Sequence, residues 1–327
     1  MVKLAMVFPG QGSQAVGMMN GYGELGSVKS VIAHASEVLK QDLGKLMAEG
    51  PAEELNRTVN TQPVMVTAAY AAYQAWKELG GAEPQVVAGH SLGEYTALVV
   101  AGVMTFADCL PLVRLRAHVM QEAVPQGTGA MAAILGLDED AVRSACAQAA
   151  QGEVVEAVNF NAPGQVVIAG HAAAVQRGME ACKARGAKRA VALPVSAPFH
   201  SPLMAPAAGK LREALAKLTF HAPRIPVIHN FDVKSHGDGR AIKDALVGQA
   251  DHPVRWVECI QAMAAQGVTH VLECGPGKVL APLAKRICGD LQGLALADRA
   301  GIDQGLRTVG REAGTDAGRH AGETDHA

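Results

Sequence analysis

Residues 85–103 read QVVAGHSLGEYTALVVAGV, and no other stretch constrains the fold as tightly. A short apolar run at 85–88 ends in Gly89-His90-Ser91-Leu92-Gly93, and an apolar helical segment follows from about Leu92. Glycines on both sides of a serine permit a turn that residues with a Cβ would obstruct, which lifts the hydroxyl clear of a sheet edge. The N–H of the next residue, Leu92, then faces any oxyanion that develops there, with a helix N-terminus behind it. A strand, sharp turn and helix in this order belong to a mostly parallel sheet covered by helices on both faces.

The neighbouring segments agree. KLAMVF (3–8) predicts a strand that ends at Pro9-Gly10, and 64–79 predicts a helix stopped by Gly80-Gly81. IPVIHNF (225–231) and VTHVLECGP (268–276) predict further strands of the large sheet, and 200–218 predicts a helix. A different rhythm occupies the middle: strand 130–137, helix 138–150, strands 153–160 and 165–170 around Asn161-Ala162-Pro163-Gly164, helix 172–185, strand 187–195. That β-α-β-β-α-β order is ferredoxin-like. The expected architecture is therefore α/β: a large α/β-hydrolase-like domain (1–124 and 197–308) interrupted by a small ferredoxin-like domain (125–196). A Gly-rich polar stretch at 309–327, without bulky apolar residues, is expected to be disordered.

Composition narrows the function classes. With 49% hydrophobic and 18% charged residues the chain builds a packed core. A net charge of −2 offers no basic footprint for nucleic acid or an anionic membrane. Six cysteines are scattered without a CxxC pair, which predicts reduced buried thiols, and no Cys/His cluster has metal-ligand spacing. The opening MVKLAMVFPGQG is too short for a secretory signal, and apolar runs break before a membrane-spanning length, so a cytoplasmic protein is expected.

A serine nucleophile needs a base. His200 lies in the proline-marked loop Ser196-Ala197-Pro198-Phe199-His200-Ser201-Pro202, after the serine in chain order. It is one of twelve histidines, and His90, beside the serine, is a rival. No acidic third member stands out, and the residues alone leave the base open between the two.

The ordered motifs decide. Phe8-Pro9-Gly10-Gln11-Gly12-Ser13-Gln14, Gly89-His90-Ser91-Leu92-Gly93-Glu94-Tyr95, and Gln121-Glu122-Ala123-Val124-Pro125 with Gly127-Thr128-Gly129-Ala130-Met131 come first. Asn159-Phe160-Asn161-Ala162-Pro163-Gly164-Gln165, Phe199-His200-Ser201 and Glu273-Cys274-Gly275-Pro276-Gly277 follow. In this order and spacing, from about residue 4 to 290, the chain resembles the malonyl-CoA:acyl carrier protein transacylases. The resemblance implies Ser91 as the acyl-carrying nucleophile and His200 as its base. It implies Gln11 and Leu92 as backbone donors to the oxyanion, Arg116 as the ligand of the malonyl carboxylate, and the Gln249 backbone as the group that orients the histidine. A guanidinium fork suits a carboxylate in a partly dry pocket. Arg114, two residues away on the same helix, faces elsewhere and is expected at the surface. His90 reads as a pocket wall, Asn161 as a pocket-lining or positioning residue, and Phe199 as the ring that would crowd a 2-methyl substituent.

The implied partners are malonyl-CoA and a phosphopantetheinylated acyl carrier protein. No metal or redox cofactor is implied, neither nucleic acid nor membrane is a partner, and a monomer is expected. A plain esterase or thioesterase is the rival enzyme, and a non-catalytic carrier-binding module the rival outside enzymes. The arginine weighs against the first and the Ser91/His200 pair against the second. The motifs do not separate fatty-acid from polyketide supply.

Overall fold

The computed structural model describes residues 2–195 and 197–310. Among the described residues nine strands form two sheets: β1 (Leu4–Phe8), β2 (Val86–Gly89), β3 (Gly129–Leu135), β4 (Val155–Ala162), β5 (Gln165–His171), β6 (Arg189–Ala192), β7 (Val227–Ile228), β8 (His270–Glu273) and β9 (Gln292–Ala295). The first sheet runs β7-β2-β1-β8-β9, with every pairing parallel. All residues of β1, β2 and β8 are buried, as a sheet covered on both faces requires. Alternate side chains of β1 enter opposite cores. Leu4, Met6 and Phe8 pack with Met65, Trp76 and Leu98, while Ala5 and Val7 pack with Trp256, Ile260 and Leu283.

The second sheet runs β4-β5-β3-β6 and is antiparallel throughout. One face holds the helices Glu139–Ala150 and Ala172–Ala184 over Ile134, Phe160 and Ile168. The other face presents Met131, Val158, Val167 and Ala169, against which Leu193, Val195 and Phe199 pack. That second face turns toward the Ser91 region.

Several elements differ from the sequence expectation. The helix expected over 64–79 runs Thr58–Glu78, with Pro63 inside it; the proline and the polar residues before it concealed the first turn. The strand expected over 225–231 shrinks to Val227–Ile228, because Asn230 turns its side chain and N–H into the active region instead of a ladder. The helix Arg299–Val309 carries regular structure to the first residue of the expected tail; residues 311–327 of that expectation lie outside the described residues. All six cysteines are unpaired, and five are buried. Among the described residues no helix is long and apolar enough to cross a membrane.

The glycines of the serine turn are fixed by close approach. A Cβ on Gly89 would sit 1.8 Å from the Gly93 carbonyl carbon, and one on Gly93 would sit 2.0 Å from the Phe8 carbonyl oxygen of β1. Gly209, exposed on the helix Ala205–Ala216, has nothing within 4 Å of that position. Gly93→Ala is therefore expected to destabilise by about 3 kcal/mol or more. Gly209→Ala should stabilise by roughly 0.5–1 kcal/mol. Thermal unfolding of both variants checks the contrast; equal midpoints would refute the close-packing account.

Candidate active site

Ser91 sits where β2 meets the helix Gly93–Val100, with φ at 51°, the left-handed region that serine seldom adopts. Neighbours hold the strained turn. The Ser91 N–H donates to Asn230 Oδ1 at 2.8 Å, and Asn230 Nδ2 donates to the Gly89 carbonyl at 2.8 Å. Gln249 Nε2, from the helix Gly239–Asp251, donates to the Ser91 carbonyl at 2.9 Å.

His200 approaches from a loop, also in left-handed backbone geometry with φ at 64°. Its Nε2 lies 2.7 Å from Ser91 Oγ, and its Nδ1 lies 2.7 Å from the Gln249 carbonyl oxygen. A carbonyl can only accept, so Nδ1 carries the proton and Nε2 offers its lone pair to the serine. Burial, reinforced by the Arg116 cation, pushes the His200 pKa down to about 3, against the pull of the Gln249 carbonyl. The imidazole is thus neutral, with the Nε2 lone pair directed at the Ser91 hydroxyl. His90, the rival, is engaged elsewhere. Its Nε2 is 2.7 Å from Asn161 Oδ1, its ring stands edge-on to Trp256, and burial lowers its pKa.

Arg116 is buried on the helix Phe106–Glu122. Nη1 donates to Gln62 Oε1 at 3.0 Å, and Nη2 donates to Gln249 Oε1 at 3.0 Å and to Ser91 Oγ at 3.1 Å. The guanidinium lies 5.3 Å from the centre of the Tyr95 ring, and Nε has no partner. Among the described residues every acceptor that touches this cation is neutral. Arg114 departs from expectation: it is half-buried, not a solvated surface charge. It donates to the Leu39 carbonyl and to Gln41, which ties its helix to the end of the helix Gly26–Leu39.

A cavity of about 130 Å³ gathers Ser91, His200, Arg116, Gln11, Leu92 and Phe199. His90 also lines it, while Asn161 stands behind His90 as its hydrogen-bond partner. Met131 and Leu193, from the second sheet and its edge, complete the apolar wall. The Leu92 and Gln11 N–H groups donate to no acceptor among the described residues. The Gln11 side chain is turned away, toward Thr58 Oγ1 at 3.3 Å. A cleft of about 850 Å³ shares Gln11 and Val195 with the cavity and leads outward past Arg57, Gln121 and Lys210.

Sequence reasoning missed Gln62, Asn230 and the side chain of Gln249, whose amide works alongside its backbone carbonyl. Their partners lie 54 to 158 positions away, so no local pattern marks them. The one available signal was Glu94, a charged residue in an otherwise apolar helix start, which proves fully buried. Among the described residues no group of three or more His, Cys, Asp or Glu could hold a metal ion.

A strained serine turn on a parallel sheet, with a neutral imidazole 2.7 Å from its hydroxyl, defines the class of serine-dependent acyl-transfer enzymes. Comparison with known proteins narrows the class: the acyl transferase domain family matches residues 5–298, and the chain belongs to that family. It is 55% identical to the malonyl CoA-acyl carrier protein transacylase of Escherichia coli strain K12, over 94% of this chain and 99% of that one. Among solved structures, the acyl-carrier-protein S-malonyltransferase of Burkholderia pseudomallei 1710b superimposes with a TM-score of 0.92 at 61% identity, covering 94% of this chain and 100% of that one. A malonyl-transacylase in complex with a type II PKS acyl-carrier protein gives 0.92 at 50% identity, covering 93% and 99%.

The depressed His200 pKa has a measurable consequence. The free base persists from above pH 6.5 down to about 3, so acylation of Ser91 by a neutral active ester should not fall near pH 6.5 as acid is added. The unfolded chain binds a proton on His200 below pH 6.5 that the folded chain excludes until about 3. His200 therefore lowers stability as pH drops through that window, and has no such effect above it. Rates of ester acylation between pH 5 and 8 provide the check, and half-loss near 6.5 would show an ordinary imidazole.

Proposed function

We propose that the chain transfers a malonyl group from malonyl-CoA to the phosphopantetheine thiol of an acyl carrier protein through a malonyl ester on Ser91. One observation carries this reading: Arg116 is a buried cation with only neutral acceptors, and it stands 3.1 Å from the Ser91 hydroxyl. Among the described residues no anion touches this desolvated guanidinium, and the malonyl carboxylate is attached two bonds from the carbonyl carbon that Ser91 would attack.

The chemistry runs in two strokes. Ser91 Oγ attacks the thioester carbonyl while its proton passes to His200 Nε2. The Gln249 carbonyl holds the opposite ring nitrogen and steadies the imidazolium. The tetrahedral oxyanion takes the free N–H groups of Leu92 and Gln11. Collapse breaks the C–S bond, and His200 returns the proton to the departing coenzyme A sulfur. The carrier thiol then gives its proton to His200 and attacks the ester, and Ser91 leaves with that proton. The outer cleft has the size to admit a pantetheine arm from either donor or acceptor. Residues 125–196 act in this reading as an inserted unit whose Met131, Leu193 and Val195 roof the cavity, and it is supported by the two sheets' sharing no strand among the described residues. The product feeds fatty-acid or polyketide chain extension. An esterase for neutral substrates would gain nothing from a buried arginine at the nucleophile.

Incubation with malonyl-CoA should add one malonyl mass to the peptide that carries Ser91, and Ser91→Ala should abolish it. Arg116→Ala should remove malonyl transfer by the equivalent of about 3–5 kcal/mol, because an unpaired charge remains buried. Acetyl transfer, which has no carboxylate, should fall far less. A malonyl-to-acetyl ratio unchanged in Arg116→Ala would refute the reading.

Selectivity against a branched unit is expected from Phe199, which lines the cavity beside His200. Phe199→Ser should narrow the preference for malonyl over methylmalonyl by an amount within the about 1–3 kcal/mol that one methyl group is worth. Competition between the two thioesters, with wild type and variant, measures it; no preference in the wild type would contradict the assignment.

A further inference from the structure

Glu94 lies three residues after the nucleophile, fully buried in the first turn of the helix Gly93–Val100. It lines no part of the cavity and does not touch His200. Three N–H donors converge on its carboxylate. His229 Nδ1 reaches Oε1 at 2.7 Å, and the Asn230 N–H and Gln249 Nε2 each reach Oε2 at 2.9 Å. Nothing in the acyl-transfer chemistry uses this group, and a carboxylate buried without purpose would be costly.

The key lies in the polarity of the Gln249 amide. An amide has one accepting end and one donating end, and a structure distinguishes them only through the surrounding bonds. Gln249 Nε2 points at the Glu94 carboxylate and at the Ser91 carbonyl, both pure acceptors. The other end must therefore be the oxygen, and it faces Arg116 Nη2 at 3.0 Å. The reversed amide would press an NH₂ group against a guanidinium and aim its oxygen at two other oxygens. Gln62 supplies the second acceptor, on Nη1. Between them the two glutamines hold the guanidinium plane against the cavity. A carboxylate in place of Gln249 would hold it too, but would occupy the cation that a substrate carboxylate needs.

We infer that Glu94 is a positioning residue for substrate selection: by fixing the Gln249 amide it orients Arg116 toward the acyl carboxylate, without itself touching substrate. The inference rests on the malonyl-transfer reading above. It differs from a merely structural role in one respect. A bracket for Asn230 and His229 would serve every acyl group alike, whereas a device that acts through Arg116 serves only acyl groups with a free carboxylate.

The test is the ratio of malonyl to acetyl transfer, as kcat/KM for the two CoA thioesters. Glu94→Gln keeps the size but removes the charge, so the charge-assisted bond that anchors Gln249 Nε2 becomes at best a neutral one and the amide is held less firmly against Arg116. The ratio should fall roughly tenfold or more, the effect of one charge-assisted hydrogen bond. Gln249→Met, which keeps the backbone carbonyl on His200, should lower the ratio similarly and stands in if Glu94→Gln fails to fold. In an Arg116→Ala background, Glu94→Gln should leave the ratio where Arg116→Ala put it. Equal losses for both thioesters, or an unchanged or raised ratio in Glu94→Gln and Gln249→Met, would overturn the inference. So would a further fall in the Arg116→Ala background. A ratio indifferent to Arg116→Ala overturns the functional reading and this inference together. A ratio that collapses there but not in Glu94→Gln overturns this inference alone.

Discussion

A guanidinium is tolerated in a protein interior when acceptors meet its N–H groups, and the nature of those acceptors determines what else it can bind. Around Arg116 they are two amide oxygens and one hydroxyl, with an aromatic ring nearby and Nε without a partner among the described residues. Amides satisfy geometry without neutralising charge. The cation therefore keeps its field, and that field falls on the serine hydroxyl and on the imidazole beside it. Gln62, Gln249 and Ser91 come from three distant parts of the chain. Holding the guanidinium thus requires the helices Thr58–Glu78, Phe106–Glu122 and Gly239–Asp251 to converge on the end of β2.

The serine turn imposes the complementary constraint. The β1–β2 register pairs Phe8 with Gly89, and this brings the Phe8 carbonyl into contact with the Gly93 backbone. From that contact the rest follows in short steps. The chain beyond Phe8 carries Gln11 into the cavity, and the turn just before Gly93 carries Leu92 to the same space. The positive φ of Ser91 stores strain that the Asn230 and Gln249 bonds restrain. Two adjacent strands and two side-chain amides thus set the position of the hydroxyl.

Legibility in the sequence followed the reach of each interaction. Ser91 and Leu92 were readable because the turn is local: five consecutive residues contain the steric reason for the geometry. β1 and the helices flanking β4 and β5 were readable because a continuous apolar run and 3.6-residue periodicity are also local. His200 and Arg116 became legible only through several motifs in fixed order, since nothing near either residue announces a serine 109 or 25 positions away. Asn230 was hidden in an apolar run that resembled a strand, and Gln62 preceded a proline that resembled a helix boundary. Arg114 misled in the other direction, because helical geometry correctly turns it from Arg116 but does not say that a neighbouring helix waits to receive it. Long-range packing decided each of these cases, and a single sequence does not encode it in any nearby pattern.

The missing acid beside His200 is best understood through Arg116. A carboxylate on Nδ1 would raise the base strength of the imidazole, but within reach of a buried guanidinium it would also pair with that guanidinium. A backbone carbonyl orients the ring and brings no charge. The consequence is a strongly depressed imidazole in the empty site, with the Arg116 cation among the causes. On the malonyl reading, the share of that depression due to Arg116 is conditional, while the larger share due to burial is not. A carboxylate paired with Arg116 offsets the cation's field at His200, and so makes the imidazole a better proton acceptor. A base is most effective when its pKa lies near the working pH, so the cognate acyl group raises the competence of the catalyst as it binds. An acyl group without the carboxylate leaves the field uncompensated and His200 a poorer base. On that reading selectivity would act in the proton-transfer step as well as in affinity, because the arginine and the histidine line one cavity and among the described residues no anion touches either.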